Sequence, residues 1–212
     1  MAMANETRSA FFYGTLMAPQ VLHRVCHGSS NPENPLYATH QLKTHPAVLH
    51  DYRRHRVQYA DYPAILPVAG ASVRGTYVTG FTDEDIRRLD IFEGGQYRRD
   101  GVKPRLLTKE GTDAASGKGN EEGEEVEAET YVWIADAAEL EDQEWDFAVF
   151  QREKMRYWTG SEGAGEYAEV DEAVAADEKQ RDGTGGRGAN GHIWAAVEKE
   201  QQKDEGPKDV RW

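Results

Sequence analysis

The sequence predicts an α+β fold in which short strands form a curved sheet or small barrel flanked by helices. Three observations lead there. An apolar and aromatic run stops at Gly14 and is followed by a helical pattern from Pro19. Several short strand-like runs crowd the segment between Leu36 and Gly80. A capped helix pattern then starts at Thr82 and stops at Gly94-Gly95. With 212 residues the chain has room for one ordinary domain, since single cores run to roughly 100–200 residues before splitting.

The first strand is Ala10-Phe11-Phe12-Tyr13, and it ends in the loop Gly14-Thr15-Leu16-Met17-Ala18. Pro19 suits a first helical turn, where its missing N–H costs nothing. Val21, Leu22 and Val25 form the apolar stripe of that helix, and Gly28 ends it. Residues 29–35 are rich in Ser, Asn and Pro and read as a surface loop. Four strand-like runs follow, Ala47-Val48-Leu49, Arg56-Val57-Gln58-Tyr59, Ala64-Ile65-Leu66 and Ser72 to Thr79. In the last run Val73, Gly75 and Tyr77 alternate with Arg74, Thr76 and Val78, so burial is not one-sided and the sheet is expected to curve.

Thr82 is placed to cap the next helix, with Asp83, Glu84 and Asp85 in its first turn and Ile86 and Leu89 at helical spacing. That helix is expected to finish at Phe92-Glu93, because Gly94 and Gly95 supply the permissive backbone of a C-terminus. Two further strands are read over Tyr97 to Leu107 and Thr130 to Ala135, separated by a Glu/Gly-rich hairpin insertion at 110–129. Trp145, Phe147, Phe150, Met155 and Trp158 make the segment from Glu141 to Trp158 an amphipathic helix. Residues 161–212 contain no Leu, Phe or Met and a single Ile, too little apolar surface to offset the entropy of ordering. They are expected to be a largely disordered acidic tail, with a short helix at most around His192 to Lys199. The domain is therefore read as residues 8–160.

Charge narrows the function. The net charge of −13 comes wholly from residues 110–129, with eight acidic and one basic side chain, and residues 161–212, with thirteen and seven. The remaining body holds seventeen of each sign, so a nucleic-acid surface has no electrostatic support. Cys26 is the only cysteine, which excludes an intrachain disulfide and a Cys-rich metal knuckle and suits a reducing compartment. Residues 1–10 have no apolar signal-like stretch and nothing approaches the ~18 apolar residues of a membrane span. The protein is expected to be soluble and cytoplasmic, with no membrane or nucleic-acid partner; its oligomeric state is left open.

Two features carry chemistry. The glycine at the strand exit in Tyr13-Gly14-Thr15-Leu16 lets successive N–H groups turn inward and form an anion nest suited to a carboxylate. Alone, an aromatic-Gly-Thr sequence is more often merely an ordinary turn. Glu93 lies at a helix C-terminus, where the negative end of the dipole and partial desolvation both raise a carboxyl pKa. That suits a base which must take a proton and return it. Alone, it is more often a solvated helix-end glutamate.

The two features occur in an ordered set. Tyr13-Gly14-Thr15-Leu16, Tyr62-Pro63-Ala64-Ile65-Leu66, Gly75-Thr76-Tyr77, Leu89-Asp90-Ile91-Phe92-Glu93-Gly94 and Tyr97-Arg98-Arg99 resemble, in order and spacing, the γ-glutamyl cyclotransferase-like superfamily. The likeness is to its plant avirulence-induced branch and fungal relatives, over roughly residues 10–158. The resemblance implies a small mixed β-barrel flanked by helices. It also implies that Tyr13, Gly14, Thr15, Leu16, Met17 and Ala18 hold the substrate and that Glu93 transfers protons. It calls for no cofactor and no metal. The implied partner is a small γ-glutamyl amine, amino acid or peptide, glutathione among them, converted to 5-oxoproline. An inactive interaction protein and a tailoring enzyme using the same cavity are the other readings.

Other residues are read more plainly. His23 and His27, four apart with Cys26 between them, allow a metal pair on one helix face, but no third ligand is evident and packing or solvent exposure is expected. Cys26 is expected on the buried side of its helix. Tyr97 is read as a packing residue and Arg98, Arg99 and Arg105 as a solvated strand face.

Overall fold

Seven strands form one sheet: β1 (Arg8–Phe12), β2 (Lys43–Arg56), β3 (Pro63–Phe81), β4 (Tyr97–Val102), β5 (Arg105–Lys109), β6 (Glu121–Glu125) and β7 (Ala128–Trp133). This computed structural model describes residues 7–159, apart from 30, 32, 34 and 113–117, together with the isolated residues 172 and 176. The expected disordered tail, its short helix and the tip of the 110–129 insertion lie outside the described residues.

The strand order is β4-β7-β1-β3-β2-β5-β6, with β1 and β7 parallel and the other pairs antiparallel. The mixed α+β architecture is as expected, but the sheet does not close into a barrel. Its two edges are poor partners. β6 carries Glu121, Glu122, Glu124 and Glu125 in five positions, largely exposed, and β4 displays Arg98, Arg99 and Asp100. Charged edges of this kind discourage further strand pairing. The sheet is curled all the same. Phe11 and Tyr13 of the central region pack with Ala47 and Leu49 of β2, Val73 of β3 and Val102 of β4, strands that stand well apart in the order. Only a curled sheet brings such side chains together.

The opposite face is covered by helices. Ala10 and Phe12 alternate with Phe11 and Tyr13 along β1 and join Val21, Leu22 and Val25 of α1 (Pro19–His27) and Ile86 and Leu89 of α3 (Asp83–Glu93). Both helices have the caps read from sequence. Pro19 opens α1 and Gly28, at φ 67°, closes it. Thr82 and Asp85 form a capping box at the start of α3, and Gly94, at φ 68°, ends it. Cys26 is buried, as expected.

Four local readings are corrected. Three of the runs between 47 and 79 merge into two long strands, β2 and β3, paired as one hairpin with an irregularity near Asp51, whose φ is 61°. The fourth leaves β2 after Arg56, with Val57 in an isolated bridge to Leu140 and Gln58-Tyr59 in a turn. A short helix, α2 (Pro35–Thr39), occupies part of the segment read as loop and strand. The segment from Tyr97 to Leu107 is two strands, because Lys103-Pro104 interrupts it and Pro104 has no N–H for a ladder. Helix does not begin at Glu141. Residues 139–143 instead bond to Arg56 and Gln58, and Asp146 caps a helical stretch through the amides of Ala148 and Val149. That stretch runs through Phe147–Val149, a wider π-type turn Phe150–Lys154 and Met155–Thr159.

Candidate active site

The loop after β1 is held from two sides. Arg54, only 6% exposed, donates through Nη1 to the Tyr13 carbonyl at 2.9 Å. The Tyr13 hydroxyl donates to the Tyr131 carbonyl at 2.6 Å. Gly14 is required by space: a Cβ there would lie 2.8 and 2.9 Å from the Pro63 ring. Thr15–Met17 then form a 3-10 turn, in which Met17 N–H donates to Gly14 and Ala18 N–H to Thr15, both at 3.0 Å. The amides of Thr15 and Leu16, at the start of the turn, have no acceptor within it and are natural donors to an anion.

Glu93 reaches the same place from the other direction. The capping box sets the start of α3, and Phe92, packed edge-on to Trp158 with centroids 6.1 Å apart, fixes its last turn. Glu93 follows and lines a cavity of about 40 Å³ together with Tyr13, Gly14, Thr15 and Leu16. Tyr62, Pro63, Tyr97, Tyr131, Phe92 and Trp158 complete the wall. The residue as a whole is half-buried, and its carboxyl is enclosed by protein. Burial pushes that carboxyl up to about 8, with the Asp90 carboxylate one turn earlier adding to the rise.

The surrounding groups are fixed by hydrogen bonds. Asp90 accepts from the Tyr131 hydroxyl at 2.9 Å and from Arg99 Nε and Nη2 at 2.9 and 3.2 Å. Arg99 also pairs with Glu129, which Arg8 grips at 2.6 and 2.7 Å. The Tyr97 hydroxyl donates to the Pro63 carbonyl at 3.0 Å, and its ring stands edge-on to Trp133. Burial keeps Tyr13, Tyr97 and Tyr131 protonated well above the ordinary phenol range, reinforced by neighbouring tyrosines and carboxylates.

Tyr13, Gly14, Thr15, Leu16 and Glu93 are thus brought to one cavity. Met17 and Ala18 are not on its wall. Met17 lines a second cavity of about 630 Å³ with Arg54, Arg74, Trp145 and Phe147, and Ala18 is 0% exposed, at the start of α1. Tyr97 lines the first cavity, yet its hydroxyl is committed to backbone, in keeping with a packing role. Arg98 is exposed as expected, whereas Arg105 is half-exposed with Nη1 on the Gly123 carbonyl and Arg99 is half-buried in the Asp90 network.

Sequence reasoning missed Arg54, Tyr131 and Trp158. Arg54 sits in a run of basic residues that reads as solvated. Tyr131 alternates in an apolar strand and reads as core. Trp158 was visible as part of an amphipathic helix, but nothing local aims it at Glu93.

The family model described as "Gamma-glutamyl cyclotransferase, AIG2-like" matches residues 10–147. The chain belongs to the AIG2-like γ-glutamyl cyclotransferase family. Among curated relatives, Arabidopsis thaliana AIG2-like protein D is 30% identical over 151 residues, covering 69% of this chain and 81% of that protein. Arabidopsis thaliana protein AIG2 C is 27% identical over 142 residues, covering 67% and 71%. A solution structure of an Arabidopsis thaliana protein has a TM-score of 0.48 at 24% identity, covering 84% of this chain and 88% of its own. A yeast γ-glutamyl cyclotransferase described as specific to glutathione has a TM-score of 0.43 at 12% identity, covering 93% and 97%. With both scores this low, family membership rests on sequence. Among the described residues of this family member, no helix is long and apolar enough to cross a membrane.

Proposed function

We propose that the protein is a γ-glutamyl cyclotransferase that converts a small γ-glutamyl amine, amino acid or peptide to 5-oxoproline, with Glu93 as its acid and base. The observation that carries this reading is a single buried carboxyl, raised to about 8, sharing a cavity with the loop at Gly14. In this reaction the substrate's own α-amine attacks its γ-carbonyl carbon, a new C–N bond closes the five-membered ring, and the original γ-amide C–N bond breaks. No protein nucleophile is needed. Glu93 takes a proton from the α-ammonium group and returns it to the departing nitrogen.

The raised value brings Glu93 closer to the proton affinity of an α-amine than an ordinary carboxyl would be, which lowers the cost of transfer between them. The amides of Thr15 and Leu16 are placed to hold the substrate carboxylate or the developing oxyanion. Keeping amine and carbonyl together supplies the proximity term, on the order of 7–11 kcal/mol in favourable cases.

The cavity volume favours a second reading. About 40 Å³ holds little more than water, whereas ligand pockets run to roughly 300–1,000 Å³. Catalysis therefore requires the wall of this cavity to open; a protein that only binds a partner does not. The deciding experiment is 5-oxoproline release from a broad panel of γ-glutamyl peptides and amines, by wild type and Glu93→Gln. Activity in wild type alone supports the cyclotransferase. Absence of product from every substrate, or equal activity in both proteins, removes this mechanism.

A further inference from the structure

The residues His23 and His27, four apart on α1, acquire in the folded chain the partners that the sequence did not reveal. His40, just after α2, places Nδ1 2.9 Å from Nε2 of His27. Asp85, in the first turn of α3, brings Oδ2 within 3.5 Å of His40 Nε2. One ligand atom from each of His27, His40 and Asp85 lies within 4.8 Å of the other two. His27 and Asp85 are buried, so this cluster lies inside the junction of three separate elements and not on a solvated face.

We propose that His27, His40 and Asp85 form a binding site for a divalent transition ion of the zinc type, away from the cavity of Glu93. The outward ring nitrogens are the second support. Imidazoles that bind metal hold their other nitrogen on a carbonyl or another polar group, which fixes ring and tautomer. His40 Nε2 is 2.7 Å from the Gly80 carbonyl, and His27 Nδ1 is 3.2 Å from His23 Nδ1. The inward atoms, His27 Nε2 and His40 Nδ1, are left facing each other. Their 2.9 Å separation is near the roughly 3.3 Å edge of a tetrahedron built on Zn–N bonds of about 2.0–2.1 Å. Small ring rotations admit the ion, and Asp85 supplies the oxygen while Thr82 continues to hold its Oδ2 at the helix cap.

The protons balance. Gly80 offers only an acceptor, so His40 carries its proton on Nε2; without metal, His27 Nε2–H then donates to His40 Nδ1, and His23 Nδ1–H to His27 Nδ1. When the ion binds, the His27 proton moves to Nδ1 and donates to His23, which becomes protonated on Nε2 instead. Two neutral imidazoles, His27 and His23, change tautomer, His40 keeps its own, and no proton is released. The ion ties α1, the end of α2 and the start of α3 together.

The test is equilibrium dialysis of the full chain against Zn²⁺, with Co²⁺ absorption as a report on geometry and thermal unfolding with and without Zn²⁺. Wild type is expected to take up one equivalent at micromolar Zn²⁺, to show the visible bands of tetrahedral Co²⁺, and to unfold at higher temperature when Zn²⁺ is present. His27→Gln and His40→Gln are expected to lose all three responses, and His23→Ala to weaken binding by about 10–100-fold. His50→Ala, which removes a surface imidazole paired with Glu122, is expected to behave as wild type. His40 is less buried than His27, so the His40→Gln variant remains informative if His27→Gln fails to fold. No uptake by wild type, or equal uptake by His40→Gln and wild type, overturns the proposal and leaves the cluster as a hydrogen-bonded chain of histidines.

Discussion

Arg54 Nη1 donates to the carbonyl of Tyr13 at 2.9 Å, so a cation at the far end of β2 holds the last residue before Gly14. The same guanidinium pairs with Glu144 through Nη2 at 2.8 Å and lies over the Trp145 ring at 5.8 Å. It therefore links the loop of the candidate site to the chain that leads into the C-terminal helical stretch. Arg54→Met keeps much of the aliphatic volume but leaves the Tyr13 carbonyl without its buried donor. The expected cost is about 1–3 kcal/mol, read by urea denaturation, with a fall in 5-oxoproline release because the loop loses its fixed direction.

Glu93→Gln keeps shape and removes the proton exchange. Cyclotransferase activity is expected to fall by about 10²–10⁴-fold with the fold intact by circular dichroism. In wild type, kcat/KM is expected to rise with pH toward about 8, because the free enzyme must release the Glu93 proton, and to fall at higher pH as free substrate loses the α-ammonium proton that Glu93 receives. A profile that is flat between neutral pH and pH 9 would sink this assignment.

The same carboxyl makes stability depend on pH. Its folded value of about 8 lies above the ordinary 4.5, so between those two pH values the unfolded chain gives up a proton that the folded chain keeps. Folding stability contributed by Glu93 is then greatest below 4.5, falls as pH rises to about 8 and is level beyond. Glu93→Gln lacks this loss. The melting temperature of the variant relative to wild type is expected to climb across that window, measured at matched ionic strength.

Neighbouring glycines should respond differently. Gly14→Ala drives a methyl group into the Pro63 ring at 2.8 Å, while Gly95→Ala meets nothing within 4 Å. Overpacking of this kind costs roughly 1–3 kcal/mol, and in Gly14→Ala it also pushes the loop from the cavity. Thermal unfolding and turnover of the two variants side by side check this; Gly95→Ala is expected to match wild type in both.

Trp158 Nε1 is buried with no hydrogen-bond partner among the described residues, and the indole lines the Glu93 cavity. Trp158→Phe removes an unsatisfied donor while keeping an aromatic wall, so stability is expected to change little. If the indole turns toward substrate as the cavity opens, KM rises in this variant and kcat holds, a split that steady-state kinetics reads directly.

Several features were legible because they are local. Pro19 and Gly28 bound α1, and Thr82, Asp85 and Gly94 bound α3, through interactions spanning a few residues, so Glu93 could be placed at a helix end from the sequence. The order of motifs from Tyr13 to Arg99 pointed to the family. Its small barrel was only partly right, since closure depends on whether β4 and β6 meet, and no local pattern encodes that. The division at Lys103-Pro104 and the joining of β2 and β3 into long strands were likewise decided by pairing across the sheet.

For Tyr13-Gly14-Thr15-Leu16 and Glu93, the sequence by itself determined a strand exit with open amides and a carboxylate at the end of a capped helix. Tertiary structure decided that they share a cavity. It also ranked the causes of the raised carboxyl: of the helix dipole and the partial desolvation read from position, burial leads, with Asp90 second. Burial is supplied by Tyr62, Tyr97, Tyr131 and Trp158, side chains far from Glu93 in the chain or on other elements. Desolvation is a property of everything that surrounds a charge, and backbone hydrogen bonding within a helix is a property of its near neighbours. The first is therefore written in the fold and the second in the sequence.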